Sequence, residues 1–90
     1  MNTFHLTIAS PDGALFKGDA EMLSVRGIEG DLAVLAGHIP FITALKPGKI
    51  SVDLSEEERR TAYAEDGLLT VGSDGVRLLS GTFRWTEDEN

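Results

Sequence analysis

The stretch from Gly27 to Gly48, GIEGDLAVLAGHIPFITALKPG, constrains the fold more than any other part of the chain. Its 22 residues include four glycines and two prolines, set among aliphatic and β-branched residues. A long helix is excluded here, because glycine is unfavourable inside a helix and proline breaks its hydrogen-bond ladder. We therefore expect this stretch to form short strands joined by tight corners.

The rest of the chain also has the two-residue period of β-strands. Near the start, Phe4, Leu6 and Ile8 alternate with other residues, and a second alternating run extends from residue 49 to residue 54. Turn signals separate these runs, among them SPDG at residues 10–13 and SDG at residues 73–75. Several short strands with turns at this spacing predict an all-β sandwich or barrel.

Two segments are ambiguous from the pattern alone. The window from residue 55 to residue 64 begins with SEEE, which is typical of a helix start. Its apolar stripe is too thin to be buried as a helix face, so we interpret it as a charged hairpin tip between two strands. Near the end of the chain, we expect Phe83 and Trp85 to extend the last clear strand, which runs from Val76 to Leu79.

Length and charge limit the possible classes of function. Ninety residues make one domain, which we expect to span residues 1–85, with a disordered acidic tail at residues 86–90. The formal net charge of −7 argues against nucleic-acid binding and against adsorption to an anionic lipid surface. The sequence has no apolar run of membrane-spanning length and no evident signal peptide. We therefore expect any membrane association to go through a protein partner.

Residues with the chemistry of catalysis are sparse. The chain has no cysteine, and its only histidines, His5 and His38, do not have the spacing of a metal-ligand pair. The sequence also has no nucleophile elbow and no phosphate-binding P-loop. We expect no catalytic residue, no metal site, no cofactor and no direct small-molecule ligand, so an autonomous enzyme is disfavoured.

The order of residues in the Gly27–Gly48 stretch is more specific than its composition. Glu29-Gly30-Asp31 is followed at fixed spacing by Gly37-His38 and then by the run TALKPG at residues 43–48. This pattern closely resembles the signature of the epsilon subunit of F-type (rotary) ATP synthases, which is called delta in mitochondria. SPDG near the start and the final LLTV and VRLL runs also match, so the resemblance covers about residues 3–82.

The resemblance implies a flattened β-sandwich of about ten short, mostly antiparallel strands. It also implies a non-catalytic central-stalk (rotor) subunit that links the gamma subunit to the membrane c-ring and couples ion transport to ATP synthesis. The implied location is peripheral, on the cytoplasmic face of the bacterial inner membrane, with the membrane reached only through partner subunits. The alternative is a β-sandwich protein-binding module recruited from the same fold for another partner.

The same resemblance assigns contact residues by position. Three residues match the loop that faces the c-ring in this family: Glu29, Gly30 and Asp31. Three others match positions on the side that faces gamma: Ser10, His38 and Thr43. Taken alone, these residues also fit plainer roles, namely solvated turn acids, a turn cap, a corner histidine and an ordinary strand threonine.

The chain also departs from the pattern of the family. Most members continue into a helical hairpin that inhibits ATP hydrolysis and in some members binds ATP, whereas this sequence ends at Asn90 after the acidic run TEDE. We expect neither of those activities here. The initial Met and the charged ending favour a natural short form. The EDG turn at residues 65–67 and the EEE run at residues 56–58 also differ from typical members.

Overall fold

The computed structural model describes residues 2–86, which form ten β-strands and no helix. In chain order, the strands are β1 (Phe4–Ser10), β2 (Gly13–Ala20), β3 (Met22–Gly27), β4 (Gly30–Leu35), β5 (Phe41–Leu45), β6 (Gly48–Asp53), β7 (Arg59–Ala64), β8 (Gly67–Gly72), β9 (Gly75–Leu79) and β10 (Arg84–Trp85). The expected all-β fold and the expected strand number are confirmed. Residues 87–90, most of the expected acidic tail, lie outside the described part of the chain.

The ten strands form one continuous hydrogen-bonded sheet. Its order is β10-β7-β6-β3-β5-β8-β9-β1-β2, and β4 is an additional partner of β3. Neighbouring strands are antiparallel except for β1 and β9, which are parallel. The expectation of mostly antiparallel strands is therefore confirmed.

Strand β3 is the point at which the sheet turns from one layer to the other. Its first half pairs with β6, from Met22 to Ser24, whereas its last residue, Gly27, forms a bridge to Leu45 of β5. One layer therefore contains β10, β7, β6, β3 and β4, and the other contains β5, β8, β9, β1 and β2. Because the sheet curls, the principal extents of the domain are nearly equal, at 28 × 28 × 26 Å.

The core lies between the two layers and follows from the two-residue period of the strands. Fifteen hydrophobic residues are buried there: Leu6, Ile8, Ala20, Leu23, Val25, Val34, Leu45, Ile50, Val52, Ala62, Ala64, Leu69, Val71, Val76 and Leu78. Full burial of one aliphatic side chain stabilises a fold by about 1.5–3 kcal/mol relative to exposure. The inward faces of both layers thus supply the driving force that holds the sandwich together.

The ambiguous window at residues 55–64 is a hairpin, as we interpreted it. Strands β6 and β7 pair in continuous register from Gly48–Ala64 to Asp53–Arg59. The five residues between them form a turn in which the amides of Leu54 and Ser55 both donate to the carbonyl of Glu58. The expected hairpin tip is confirmed, and the two buried alanines of β7 contribute to the sheet core instead of a helix face.

The expectation for the last aromatic residues was wrong. Strand β10 does not extend β9 but crosses to the other layer, where Trp85 pairs with Ala62 of β7. The physical reason is aromatic packing at the open edge of the sandwich, between the two terminal strands of the sheet. The Trp85 ring packs 4.9 Å from the ring of Phe83 and 6.2 Å from that of Phe16 on β2, and the Arg60 guanidinium lies 3.8 Å from its centroid.

A small polar network turns the chain between β9 and β10. The Thr82 hydroxyl donates to Asp66 Oδ1 at 2.9 Å and accepts a hydrogen bond from the Glu65 amide at 2.8 Å. The Ser80 hydroxyl, which is buried, also donates to Asp66 Oδ1 and accepts from the Thr82 amide. Asp66 therefore ties the β7–β8 turn to the segment before β10.

Candidate functional site

The acidic loop of the signature forms the tip of the β3–β4 hairpin. We use β3–β4 tip for residues 26–31. Gly27 and Gly30 close the turn as a backbone pair, so that only Ile28 and Glu29 lie between the strands. The Ile28 amide donates to the Ala44 carbonyl at 2.9 Å, and the Lys46 amide donates to the Arg26 carbonyl at 3.0 Å. These two bonds fix the backbone of the tip to β5 and to the turn that follows it.

The two acidic side chains of the β3–β4 tip differ in their hydrogen-bond partners. Asp31 lies opposite Arg26 in the register, and Arg26 Nε donates to Asp31 Oδ1 at 3.1 Å. Glu29 is exposed and has no hydrogen bond or ion pair among residues 2–86. Gly30 has a backbone φ of +137°, which residues other than glycine rarely adopt. The structure thus brings the three predicted residues together on one turn whose backbone is hydrogen-bonded to β5.

Sequence reasoning missed Arg26. A signal for it exists, because a two-residue turn closed by Gly27 and Gly30 places residues 26 and 31 directly opposite each other. Oppositely charged residues at such a cross-strand pair attract. Once GIEG is interpreted as a hairpin turn, the pairing of Arg26 with Asp31 follows from the count of residues.

The three residues predicted to face gamma are not clustered. Ser10 caps its own turn, since its hydroxyl accepts a hydrogen bond from the Asp12 amide at 3.1 Å. Exposed His38 packs its ring 5.4 Å from that of Phe41, at a corner where Gly37 has a φ of +84°. Thr43 is half-buried and donates to the carbonyl of Ala44 at 3.2 Å.

Each of the three residues lines a different groove. Ser10 lines one of about 530 Å³ beside Leu68 and Leu79. His38 lines one of about 350 Å³ near the β8–β9 turn. Thr43 lines one of about 330 Å³ together with the acidic residues of the β3–β4 tip. The structure therefore joins Thr43 to the predicted c-ring loop and leaves Ser10 and His38 apart.

An exposed row of apolar side chains crosses the outer face of the second layer. Ala44, Leu68, Leu79 and Ala9 are successive register partners on β5, β8, β9 and β1. We call these four residues the apolar row. Leu68 and Leu79 are each 43% exposed, and Ile42, on β5 beside the row, is 67% exposed. A contiguous apolar surface on a small domain is typical of a protein contact.

The apolar row was not predicted from the sequence, although a signal for it is present. Strands β8 and β9 each contain a Leu-Leu pair, Leu68-Leu69 and Leu78-Leu79. Neighbouring residues of a strand point to opposite faces, so one leucine of each pair must face outward. Leu69 and Leu78 are fully buried, and their neighbours form the apolar row.

The outer face of the first layer has a different character. Thr61, Ser51, Ser24 and Ala33 form a row of small side chains across β7, β6, β3 and β4. At one end of that face Arg59 donates to both carboxylate oxygens of Asp53, at 2.6 and 3.2 Å. This hydrogen bond and the charge of Asp53 raise the pKa of Arg59, which therefore stays cationic under all ordinary conditions.

The described residues contain neither a metal-ligand cluster nor a membrane-spanning helix. Among residues 2–86, no group of three or more His, Asp or Glu side chains is arranged to hold a metal ion. The same part of the chain contains no helix with the length and apolar character needed to cross a bilayer.

Residues 3–86 match the family model described as ATP synthase, Delta/Epsilon chain, beta-sandwich domain. The chain belongs to this family. It is similar to the ATP synthase epsilon chain of Chromohalobacter salexigens, with 40% identity over 82 residues, and to that of Afipia carboxidovorans, with 35% identity over 82 residues. Each alignment covers 91% of this chain but only 58% and 60%, respectively, of those relatives.

Solved structures share the fold. A chain in the cryo-EM structure of the Euglena gracilis mitochondrial ATP synthase, comprising OSCP, F1 and c-ring, superposes with a TM-score of 0.87 and 22% identity, covering 98% of this chain and 56% of that one. A chain in the central stalk and c-ring structure of the Tetrahymena thermophila mitochondrial ATP synthase gives a TM-score of 0.77 and 13% identity, covering 89% and 64%. Both likenesses concern the β-sandwich architecture.

The comparisons confirm three of the expectations from the sequence. The resemblance to the epsilon subunit is confirmed by the family match and by the two bacterial relatives. The β-sandwich class is confirmed by the same match. Because the homologues are ATP synthase epsilon chains, the expectation of a subunit instead of an autonomous enzyme is confirmed as well.

Proposed function

We propose that this chain is a central-stalk (rotor) subunit of an F-type ATP synthase, linking the gamma subunit to the membrane c-ring. In this role it catalyses no reaction itself and couples ion transport to ATP synthesis by turning with the rotor. The observation that carries the proposal is the apolar row on the second layer, in a chain of the epsilon family. Its place is peripheral, on the cytoplasmic face of the bacterial inner membrane, held there through partner subunits.

The apolar row supports gamma as the partner on this face. Its four side chains are fixed by backbone pairing across four strands, so they are already held in one arrangement before a partner binds. A preorganised surface loses less conformational entropy on binding than a flexible one. The groove of about 530 Å³ beside the row, lined by Ser10 and Pro11, extends the same surface. Ser10 is one of the residues that the resemblance assigns to gamma.

The β3–β4 tip supports the c-ring as the second partner. It carries exposed acidic residues on a turn that is tied to the sheet by two backbone hydrogen bonds. A charged turn of this kind attracts a basic partner loop and limits sliding between the two surfaces, because like charges repel and opposite charges hold the register. Torque requires contacts that do not slip, and a tip with a fixed backbone meets that requirement.

The proposal is tested by binding to the cognate gamma subunit. Leu68→Ser combined with Leu79→Ser is expected to weaken gamma binding at least tenfold, because each leucine removed from a contact centre costs about 1 kcal/mol or more. The measurement is a titration of gamma with each variant, with thermal unfolding recorded in parallel. Both leucines are partly exposed, so the domain is expected to keep its stability within about 1 kcal/mol.

The matched control is Leu35→Ser. Leu35 is 52% exposed and lies on β4, on the outer face of the other layer. This variant is expected to bind gamma like the unmodified chain. Equal weakening by the control and the double variant would contradict the assignment of the apolar row. A folded, unmodified chain that does not bind gamma at all would favour the alternative, a β-sandwich module recruited for another partner.

A further inference from the structure

A second row of side chains runs beside the apolar row on the outer face of the second layer. Thr70, Arg77, Thr7 and Lys17 are successive register partners on β8, β9, β1 and β2. We call these four residues the basic row. On β8, β9 and β1 its members lie two residues from those of the apolar row, so the two rows are about 7 Å apart. The same face therefore presents exposed cations next to an exposed apolar surface.

Arg77 differs from Arg26 and Arg59 in its cross-strand neighbours. Arg26 and Arg59 each lie opposite an aspartate and form an ion pair with it. Arg77 instead lies between two threonines, Thr70 on β8 and Thr7 on β1. It is exposed and forms no hydrogen bond or ion pair with another residue in the range 2–86. This part of the chain therefore supplies no counter-ion to the Arg77 guanidinium.

The two threonines place hydroxyl groups on both sides of Arg77. Each threonine is half-buried, and neither side chain forms a hydrogen bond with another of the described residues. Every fully buried side-chain nitrogen or oxygen in this part of the chain has a partner, so both hydroxyls reach the surface. A hydroxyl can donate to an anion, and a guanidinium has five N–H donors. Thr70, Arg77 and Thr7 thus present a line of donors across three strands.

The carboxylates near the basic row do not neutralise Arg77. Asp19 lies opposite His5, with 3.7 Å between its Oδ1 atom and His5 Nδ1. Asp74 folds its carboxylate over Gly72, where an added Cβ atom would lie 3.3 Å from Asp74 Oδ1. Neither acid forms an ion pair with Arg77. A counter-ion for Arg77 therefore has to come from outside residues 2–86.

A groove connects Arg77 to the apolar row. Its volume is about 300 Å³, and it is lined by Arg77, both threonines, His5, Asp74 and Leu79. Leu79 also belongs to the apolar row, so a partner element that covers the row reaches the Arg77 guanidinium as well. An apolar contact excludes water, and an ion pair beside it is stronger than one on an open surface because the local dielectric constant is lower.

Given the proposed function, on which this inference rests, we infer that Arg77 binds the side-chain carboxylate of an aspartate or glutamate of the gamma subunit. A guanidinium can donate two parallel hydrogen bonds to one carboxylate, and the hydroxyls of Thr7 and Thr70 are placed to donate to the same group. Lys17, on the far side of Thr7, adds positive charge that attracts it. The ion pair fixes the orientation of the domain on gamma, whereas the apolar row supplies buried area.

The test is a titration of the cognate gamma subunit with the full chain and its variants at two salt concentrations. Arg77→Gln is expected to weaken binding about five- to tenfold and to reduce its dependence on salt, because one charge contact is lost. Arg77→Glu is expected to weaken binding further, since two carboxylates then face each other. Thermal unfolding is recorded for every variant and is expected to be unchanged, because Arg77 has no partner within residues 2–86.

Lys49 provides the matched control. It is an exposed strand cation that forms no hydrogen bond or ion pair with any described residue, but it lies on β6 in the first layer. Lys49→Gln and Lys49→Glu therefore make the same changes in charge away from the basic row. Both variants are expected to bind gamma within about twofold of the unmodified chain.

A charge exchange identifies the acid on gamma. Arg77→Glu is titrated against gamma variants in which one exposed aspartate or glutamate at a time is changed to arginine. One of these variants is expected to bind Arg77→Glu more tightly than it binds the unmodified chain, because the exchange restores the ion pair in the reverse sense. A set of gamma variants without such a preference would contradict the inference.

Three further results would decide against it. One is an Arg77→Glu variant that binds gamma with full affinity and the original salt dependence. If Leu68→Ser with Leu79→Ser still weakens binding, the proposed function stands and only the role of Arg77 falls. Equal weakening by Arg77→Glu and Lys49→Glu would indicate a general effect of charge instead of a contact. A folded, unmodified chain that does not bind gamma overturns both the inference and the proposed function.

Discussion

The two acidic hairpin tips of this domain carry similar charges but are anchored differently. The β3–β4 tip contains Glu29 and Asp31, and the β6–β7 tip, which we define as residues 54–58, contains three consecutive glutamates. Each hairpin also has an Arg–Asp ion pair across its strands near the turn. The β3–β4 tip is bound by backbone hydrogen bonds to β5, whereas the backbone bonds of residues 54–58 are all made within the turn.

This difference teaches that charge alone does not mark a contact surface. Three adjacent glutamates on a self-contained turn are solvated charge, because the backbone hydrogen bonds of their turn are made within it and not to a neighbouring strand. Two acids on a turn that is tied to a neighbouring strand keep a fixed position relative to the core. A surface that transmits force needs the second arrangement, since displacement of a loosely held turn would absorb it.

The largest expected effect comes from Gly27→Val, which introduces a side chain into the crowded base of the β3–β4 tip. A Cβ atom at Gly27 would lie 2.8 Å from the Gly30 carbonyl oxygen and 2.9 Å from Leu32 Cδ2, closer than van der Waals contact allows. We expect the free energy of unfolding to fall by about 1–3 kcal/mol, as for other overpacked sites. Thermal or denaturant unfolding measures this change.

Glu56→Val in the other tip is the control for that variant. Glu56 is exposed on the self-contained turn, so its replacement is expected to change stability by less than about 0.5 kcal/mol. Equal losses in the two variants would remove the distinction in anchoring between the tips. An unchanged unfolding midpoint for Gly27→Val would show that the turn relaxes without cost.

A smaller expected effect concerns local opening in the unmodified chain. The amides of Ile28 and Lys46 donate to carbonyls of neighbouring strands at 2.9 and 3.0 Å. The Ser55 and Glu57 amides make longer bonds, at 3.3 and 3.2 Å, to groups of their own turn. Native-state hydrogen exchange is expected to be about tenfold slower or more at the first pair, because their exchange requires the hairpin to separate from β5. Similar protection at both tips would contradict this.

The sequence predicted the strands and turns that depend on local pattern. SPDG and SDG form turns as expected, and the alternation around Ile50 and Val52 forms β6, because period and turn chemistry are local properties. Strand β10 was assigned to the wrong neighbour, since two residues have no period and Trp85 is placed by contacts with Phe16 and Phe83.

For the candidate site as well, only the features that depend on local sequence could be predicted. Glu29, Gly30 and Asp31 are adjacent in the chain, so any hairpin brings them together. The separation of Ser10 from His38 depends on the order of the strands in the sheet, which no local pattern contains. The outward direction of Leu68 and Leu79 depends on which face of β8 and β9 meets the core, and this is decided by the packing of the second layer against the first.

The smallest expected effects are the losses of stability when either of the two Arg–Asp ion pairs is removed. Arg26 meets Asp31 through one hydrogen bond between exposed groups, so Arg26→Ala is expected to lower stability by about 0.2–1 kcal/mol. Arg59 binds both oxygens of Asp53, whose side chain is only 17% exposed, so Arg59→Ala is expected to lower the unfolding midpoint more than Arg26→Ala does. The stronger pair thus belongs to the less anchored tip. A larger loss of stability in Arg26→Ala than in Arg59→Ala would contradict this ranking. The ion pair of the β3–β4 tip would then help to anchor the tip, in addition to its backbone bonds to β5. The difference in anchoring between the two tips would then depend on side chains as well as on the backbone.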